Sequence, residues 1–248
     1  MSKKFKDFLK DNVRKTIDFS TTDQSRGIKP PPAEKPCNSE DRKINLVRPG
    51  NWKSIHKVSV EAAIAKRKSR RSYTEDEIKL EELSFLLWAT QGLREKRSAI
   101  RNYRTVPSAG RRHALETYIA AFRVEGIPKA IYRYLPMGHQ LVEVIKHKDL
   151  EGLLTQAALD QSFTGKSAVT FIWTTIPARM EWRYGKASYK VIALDAGHVC
   201  QNLYLACEAI GAGTCAIAAY DQEFTDSVLG IDGVEEFTIY MAPVGKVQ

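Results

Sequence analysis

Residues 189–211 read YKVIALDAGHVCQNLYLACEAIG, and residues 214–220 read TCAIAAY. The first stretch is apolar along most of its length, which predicts a long helix that stops at Gly211. The second stretch combines small and β-branched side chains over the length of a strand and predicts one. A long helix followed closely by a strand favours a fold in which helices pack on a sheet.

The same two kinds of element are predicted along most of residues 59–245. Helices are predicted at 59–67, 80–92, 149–161 and 221–230, with Ser59 and Asp149 as N-caps. Strands are predicted at 115–124, 130–136, 139–146, 168–176 and 235–245. The run AVTFIWTTI at 168–176 is typical of a strand that is buried on both faces. We therefore expect an α+β fold with helices around one central sheet.

The charge of the chain limits its partners. The 248 residues carry a formal net charge of +9, and much of it lies in two clusters at 66–71 and 97–112. Neither cluster is interleaved with the aromatic side chains that stack on single-stranded bases, so we expect no nucleic-acid partner. A small phosphorylated ligand or an anionic substrate fits such local clusters, and a solvated basic face is the alternative interpretation.

The sequence also predicts a location. No apolar run approaches the roughly 20 residues of a membrane-spanning helix, and charged residues interrupt the N-terminus where a secretory signal would be apolar. We therefore expect a cytoplasmic protein with no membrane partner. The cysteines Cys37, Cys200, Cys207 and Cys215 agree, because they lack Cys-x-x-Cys spacing and predict neither a metal site nor a disulfide framework.

Residues 1–50 differ in composition from the rest of the chain. They are rich in proline, including Pro30-Pro31-Pro32, and have little periodic hydrophobicity after a short amphipathic opening. This composition predicts an extended arm, packed on the body or on a partner subunit, rather than a separate domain. Residues 51–248 are then expected to form one domain.

Six segments occur in one uninterrupted order between about residues 59 and 246. They are RKSRRSY (67–73), LLWATQGL (86–93), YRTVPSAGRRHALETY (103–118), ALDQSF (158–163), DAGHVCQNLYLACEAIGAGTCAIAAYD (195–221) and LGIDGVEEFTIYMAPVGK (229–246). Together they resemble the nitroreductase-like FMN flavoproteins, and within these the azoline-oxidising dehydrogenases of thiazole and oxazole peptide maturation. The resemblance implies a three-layer sandwich with a central, mainly antiparallel sheet, and FMN at the interface of a homodimer.

The resemblance also implies how FMN would be held. Arg67, Lys68 and Ser69 would bind the phosphate and ribityl oxygens, since cations and hydroxyl donors suit a phosphate. Arg71 would lie near the N1–O2 edge of the flavin, where reduction deposits negative charge. Lys246 would stand alone where relatives have a C-terminal basic pair that grips the phosphate. Arg70 is interpreted as a solvent-facing charge.

Two small-residue segments would lie against the flavin ring, because small side chains let the backbone come close. The loop that crosses to the flavin of the partner subunit is implied at Pro107, Ser108, Ala109 and Gly110. The segment whose backbone N–H reaches flavin N5 is implied at Ala216, Ile217, Ala218 and Ala219, with Ala219 in place of the usual glycine. Gln161 is implied as a further polar contact.

The residues after the first loop leave two interpretations open. Relatives often carry an amide near Arg111 or Arg112, whereas both positions are arginine here. The change indicates either an extra contact to an anion or ordinary surface. His113 could donate into the site, although a lone histidine is more often a packed one.

Arg183 and Tyr184 stand where the azoline-oxidising enzymes carry an adjacent Lys-Tyr pair for proton handling. Arginine has a pKa above about 12 and is not a base near neutrality, so Arg183 is expected to bind a carboxylate while Tyr184 donates. The resemblance therefore favours an FMN oxidoreductase that moves a hydride from NAD(P)H to a small nitroaromatic or quinone. The alternatives are an azoline-type peptide dehydrogenase and a non-catalytic flavin-binding protein.

Overall fold

The computed structural model describes residues 3–38, 40–96 and 102–248. Its centre is a seven-stranded sheet in which all neighbouring strands are antiparallel. The strands, in chain order, are β1 (Lys43–Asn45), β2 (Leu93–Lys96), β3 (Asn102–Arg104), β4 (Leu115–Ala121), β5 (Ala130–Leu135), β6 (Gln140–Ile145), β7 (Val169–Thr175), β8 (Ala212–Thr214) and β9 (Phe237–Lys246). The sheet order is β1-β6-β5-β4-β7-β9-β8, and β2 pairs with β3 in a separate ribbon.

Helices cover both faces of this sheet. They are α1 (Lys3–Leu9), α2 (Val60–Lys66), α3 (Leu80–Gln91), α4 (Leu150–Ala157), α5 (Ala178–Tyr184), α6 (Ser188–Glu208) and α7 (Gln222–Leu229). Residues of α3 and α6 share a hydrophobic cluster with one face of the sheet, and residues of α4 and α7 share a second cluster with the other. The expected α+β fold, an antiparallel sheet flanked by helices, is confirmed.

Strand β7 shows why the sheet is buried on both sides. All seven of its residues are buried, as its continuous apolar run predicts. Phe171 and Trp173 point into the α3/α6 cluster, whereas Ile172 points into the α4/α7 cluster. Alternate side chains of one strand therefore support the two helical layers.

The predicted helix starts are confirmed by their caps. The Ser59 side chain accepts a hydrogen bond from the Ala62 N–H at 3.1 Å, and Asp149 accepts one from the Gly152 N–H at 3.0 Å. The long helix α6 ends at Glu208, and Gly211 follows with a positive φ of 61°. Among the helices that the structure describes, none is long and apolar enough to cross a membrane.

One local prediction is wrong. The segment 214–220 is not a continuous strand: β8 covers Ala212–Thr214, and after it only Ile217 forms a bridge, to Met241. The reason is that the Ala216 N–H donates to the Tyr204 hydroxyl instead of to a neighbouring strand. The helix α5 was not predicted, and residues 97–101 of the second basic cluster lie outside the described residues.

The arm packs on the body, and part of it joins the sheet. Strand β1, which lies within residues 1–50, pairs with β6 at the sheet edge. Earlier in the arm, the Arg104 guanidinium donates to the Ala33 carbonyl at 2.8 Å, and the Lys35 N–H donates to Glu116 at 2.8 Å. Arg133 donates to the Lys35 carbonyl at 2.7 Å. The division at residue 50 stays a prediction, although the arm is continuous with the sheet.

A buried ion network lies beneath the arm and supports α5. Glu116 is 3% exposed and accepts from Arg179 at 2.5 Å and from Arg133 at 3.4 Å. Both guanidinium charges lower the pKa of Glu116. Because Arg179 belongs to α5, this network fixes the helix that carries Arg183 and Tyr184.

Candidate functional site

The predicted site residues gather in two places along α6. The Tyr204 cluster is defined as Arg67, Ser69, Tyr204 and Ala216. The Gly110 cluster is defined as Ala109, Gly110, Arg112, Arg183 and Tyr184, with Asp195 of α6 behind it. Asp195 and Tyr204 are nine residues apart, which is roughly 13 Å along the helix axis and two and a half turns. The two clusters therefore lie on opposite sides of α6.

Tyr204 joins the two segments of the first cluster. Its hydroxyl lies 3.0 Å from the Ser69 hydroxyl and accepts a hydrogen bond from the Ala216 N–H at 2.8 Å. The Arg67 guanidinium lies 5.3 Å from the centroid of its ring, within the range of a cation–π contact. Residues 67–69, predicted for the phosphate and ribityl oxygens, and residues 216–219, predicted for the ring, are thus both held by Tyr204.

The backbone next to Tyr204 explains this alignment. Ser69 forms a parallel bridge with Thr214, and the Arg70 N–H donates to the Thr214 carbonyl at 2.9 Å. An open cavity of about 780 Å³ lies beside this bridge, lined by residues 68–75 and by Val247 and Gln248. Cations and hydroxyls at 68–72 line this cavity, so it has the chemistry that suits a phosphate.

The backbone N–H groups of residues 216–219 differ in whether they have a hydrogen-bond acceptor within the protein. The Ala216 N–H is bonded to Tyr204, and the Ile217 N–H donates to the Met241 carbonyl at 2.8 Å. Ala218 and Ala219 are exposed, and within the described residues neither amide has a protein acceptor. These two N–H groups are the ones of this segment that a ligand can reach.

The remaining residues predicted on the Tyr204 side are Arg71, Gln161 and Lys68. The Arg71 guanidinium lies 5.8 Å from the centroid of the Phe163 ring, and the Gln161 amide donates to the Ala219 carbonyl at 3.0 Å. Gln161 and Phe163 therefore bring Ala219 and Arg71 to the same part of the surface. Lys68 is exposed.

Lys246 is placed differently from its predicted role. Its ammonium donates to Glu82 at 2.6 Å and to the Ile210 carbonyl at 2.6 Å. These contacts tie the end of β9 to α3 and α6, and they favour a structural role over a phosphate contact. The stem of Arg70 packs over Gly213, and the interpretation of its charge as solvent-facing stays a prediction.

Gly110 allows the second cluster to form. Its φ is +56°, and a Cβ at this position would lie 2.7 Å from the Tyr184 hydroxyl and 2.8 Å from Arg183 Cδ. The loop is also fixed from behind: the Ala109 N–H donates to Asp195 at 3.4 Å, and the His113 N–H donates to the Ser108 hydroxyl at 2.9 Å. Pro107 at the start of the loop is exposed. The structure thus brings the loop and the Arg183–Tyr184 pair together.

The three residues after the loop have different environments. Arg111 is exposed and donates to the Tyr103 hydroxyl at 2.9 Å. Arg112 is buried, donates to the Arg179 carbonyl at 3.1 Å, and lies 4.6 Å from the centroid of the Trp182 ring. Burial lowers the pKa of His113 to about 2, so this imidazole is neutral, as expected of a packed histidine.

The three cysteines of this region are buried thiols. Cys200, Cys207 and Cys215 are buried, and burial raises the pKa of Cys200 to about 12, which keeps it a thiol. Across the described ranges, no group of three His, Cys, Asp or Glu side chains is close enough to hold a metal ion.

Comparisons with known proteins place the chain in a family. The nitroreductase family model matches residues 64–246. MJ1384 of Methanocaldococcus jannaschii, a proposed nitroreductase, is 31% identical over 193 residues, which are 77% of this chain and 93% of that protein. The trifolitoxin-processing protein TfxB of Rhizobium leguminosarum bv. trifolii is 29% identical over 133 residues, 52% of this chain and 36% of that protein.

Solved structures share the fold. A proposed nitroreductase from Ralstonia eutropha JMP134 has a TM-score of 0.69 at 24% identity, covering 90% of this chain and 96% of that chain. A chain of the E. coli microcin synthetase McbBCD complex, solved with truncated pro-MccB17 bound, has a TM-score of 0.62 at 19% identity, covering 84% and 79%. With the family match over 64–246, these findings show that the chain belongs to the nitroreductase family, whose members are flavin-type oxidoreductases.

Proposed function

We propose that the protein is an FMN-dependent oxidoreductase that acts as a homodimer and takes hydride from NAD(P)H to an electron-poor acceptor, a nitroaromatic or a quinone. FMN would lie between the Tyr204 cluster of one subunit and the Gly110 cluster of a second copy. The observation that carries the proposal is the Tyr204 hydroxyl, which holds Ser69 and the Ala216 backbone at one place.

The donor set of the Tyr204 side fits FMN. Arg67, Lys68 and Ser69 would bind the phosphate and ribityl oxygens beside the cavity at 68–75. Arg71 and the amides of Ala218 and Ala219 would face the ring, where a cation and N–H donors stabilise developing negative charge.

The separation of the two clusters supports a dimer. Within one chain they lie on opposite sides of α6, so one ligand does not contact both. A second copy would place its Gly110 cluster against the Tyr204 cluster of the first. The exposed apolar side chains Tyr189 and Leu194 on α6 and Val60 and Ile64 on α2 are 47–71% exposed and would be covered in such an interface.

Each subunit's residues have a distinct task in this arrangement. When bound, FMN would supply the two-electron chemistry. Pro107–Gly110 would close the site against water with its small side chains, Arg183 would orient the acceptor by its charge, and the Tyr184 hydroxyl would donate a hydrogen bond or a proton to it.

Reconstitution and reduction test this function. Protein purified with added FMN should retain yellow flavin, sediment as a dimer, and be bleached anaerobically by NADH or NADPH, with the colour restored by a quinone. A stable flavin-loaded monomer would contradict the shared site. Retained flavin that neither nucleotide reduces would favour the alternative of a non-catalytic flavin-binding protein.

A peptide dehydrogenase of the azoline type is the second candidate. It is favoured by the similarity to TfxB and to the McbBCD chain, which are a toxin-processing protein and part of a microcin synthetase. It is disfavoured by Arg183, because a guanidinium does not remove a proton near neutrality. Azoline oxidation that appears in Arg183→Lys and is absent from the natural chain would support descent from this branch with a changed activity.

A further inference from the structure

Arg112 is a nearly buried cation without an acidic partner. Its side chain is part of a residue that is 7% exposed, its Nε–H donates to the Arg179 carbonyl, and its guanidinium covers Trp182. Among residues 6–38, 40–94 and 102–248, whose side chains the structure describes, no carboxylate pairs with it. The terminal nitrogens of Arg112 are not among the buried polar atoms that lack a partner, so they reach the surface, where an anion from outside the chain can pair with them.

The charges around Arg112 are themselves positive. Burial, Arg183 and Arg179 all lower the pKa of Arg112. Arg179 already has its carboxylate, since it donates to Glu116 at 2.5 Å. Arg183 is exposed and has no ion pair among the described residues. Arg112 and Arg183 are therefore two cations of this surface that no described carboxylate balances.

The Tyr184 hydroxyl lies beside the loop that precedes Arg112. It and the Arg183 stem both come within 2.8 Å of the point where a Cβ of Gly110 would lie, so they converge on this glycine. The Tyr184 hydroxyl has no hydrogen-bond partner in residues 3–38, 40–96 or 102–248. Two guanidinium groups and one hydroxyl thus remain with open donors around one small-residue loop.

The nearby carboxylates are occupied elsewhere. Asp195 lies behind the loop, where it accepts from the Ala109 N–H. Asp11 accepts from Arg14 Nε at 2.8 and 3.0 Å, beyond the Tyr184 ring. Neither carboxylate neutralises Arg112 or Arg183, and the donors of these two residues stay available.

We propose that Arg112, Arg183 and the Tyr184 hydroxyl form a binding site for a carboxylate group of the acceptor substrate. A carboxylate fits because guanidinium groups present paired N–H donors at the spacing of its two oxygens. Stacking on Trp182 and the bond to the Arg179 carbonyl hold Arg112 in place before the ligand binds. The assignment of the ligand as an acceptor rests on the proposed function, whereas the anion site itself does not.

Calorimetric titration with benzoate and its neutral isostere benzamide tests the site. The natural protein should bind benzoate and not measurably bind benzamide. Arg112→Gln and Arg183→Gln should each raise the Kd of benzoate at least about 10-fold, or about 1.4 kcal/mol. Arg111→Gln is the matched control, because it removes the same charge from the adjacent exposed residue, and it should leave the Kd within about 2-fold.

Several results would overturn the proposal. Equal binding of benzoate and benzamide would overturn it. Equal weakening of benzoate binding by Arg111→Gln and Arg112→Gln would also overturn it, because only the general positive charge of the surface would then attract benzoate. Loss of FMN from Arg112→Gln would assign Arg112 to the cofactor. If Arg112→Gln does not fold, the exposed Arg183→Gln decides alone. The proposed function fails separately, through absence of flavin reduction, while the benzoate titration remains valid without flavin.

Discussion

Tyr204 and Tyr184 both lie against guanidinium groups, yet their hydroxyls are used differently. Arg67 lies 5.3 Å from the ring centroid of Tyr204, and Arg14 and Arg183 lie 5.8 and 5.5 Å from that of Tyr184. The Tyr204 hydroxyl makes two hydrogen bonds inside the chain. The Tyr184 hydroxyl makes none in the described part of the chain and stands beside Gly110.

This difference distinguishes the Tyr204 hydroxyl, which has a structural role, from the Tyr184 hydroxyl, which can contact a ligand. A hydroxyl that is bonded twice fixes the groups around it, and Tyr204 thereby sets the distance between the 67–71 and 214–219 segments. A hydroxyl with free donor capacity is available to a ligand. The residues assigned to FMN phosphate belong to the first environment, and Arg183 belongs to the second. Cofactor binding and substrate choice are therefore expected to respond to different substitutions.

The largest effect on the Tyr204 side is expected from Arg67→Ala. Loss of a charge-assisted contact to phosphate removes about 1.5–3 kcal/mol of binding energy. The Kd of FMN should therefore rise by about 10- to 100-fold in a fluorescence titration. Benzoate affinity, which depends on the Gly110 cluster, should stay unchanged.

Lys66→Ala is the control for this substitution. Lys66 is exposed in the last turn of α2 and adjacent to Arg67, so its removal takes away the same charge. Equal loss of FMN in both variants would mean that the net charge of the segment, and not Arg67, holds the cofactor.

Gly110→Ala should give the next largest effect, on the other side. A side chain at φ +56° is strained by about 1–2 kcal/mol, and its Cβ would displace the Tyr184 hydroxyl and Arg183. We expect about a tenfold fall in kcat/KM for NAD(P)H-driven quinone reduction, with a smaller change in FMN affinity. Gly126→Ala has a similar strain at φ +76° with no atom within 4 Å, so equal losses would exclude the contact as the cause.

Tyr204→Phe and Tyr184→Phe compare the two hydroxyls directly. Removing the Tyr204 hydroxyl leaves the Ser69 hydroxyl and the Ala216 N–H without their partner, at about 1 kcal/mol. The FMN Kd should rise about fivefold, and Tm should fall by about 2–4 °C. Tyr184→Phe should change neither quantity but weaken benzoate. Identical profiles for the two variants would remove the distinction between scaffold and contact.

The sequence predicts the fold well where the pattern is strong and local. The buried run at 168–176, the caps Ser59 and Asp149 and the hairpin at 130–146 are all confirmed, because periodicity and cap chemistry act within a few residues. The 214–220 strand failed because the partner of the Ala216 N–H is Tyr204, a side chain that no local pattern connects to it.

The candidate site is harder to predict for the same reason. Resemblance identifies Arg67, Ser69 and Gly110. Only the structure shows that Tyr204 contacts both Arg67 and Ser69. Tyr204 is one of two tyrosines on α6, and no sequence pattern distinguishes it from Tyr189. The sequence also left Arg111 and Arg112 equivalent, and their different burial emerges from the turn of the chain at Gly110, which aims one side chain outward and the other onto Trp182.

The smallest effect concerns Asp195, which supports the Gly110 loop from α6. Burial raises the pKa of its carboxyl, while the bonds to Ser108 and to the Ala109 N–H and the charge of His198 oppose the shift. A raised pKa in the folded state contributes stability below the ordinary aspartate pKa of about 3.9, and this contribution is lost as pH rises through the folded value.

Asp195→Asn keeps the acceptor for Ala109 without titrating. The Tm of Asp195→Asn minus that of the natural protein should therefore grow from pH 4 to pH 7, by about 1–2 °C. His198→Gln, made in both the natural protein and Asp195→Asn, removes the neighbouring imidazole as a cause. A Tm difference that shrinks with rising pH would contradict the prediction and show that the ionised carboxylate stabilises the loop.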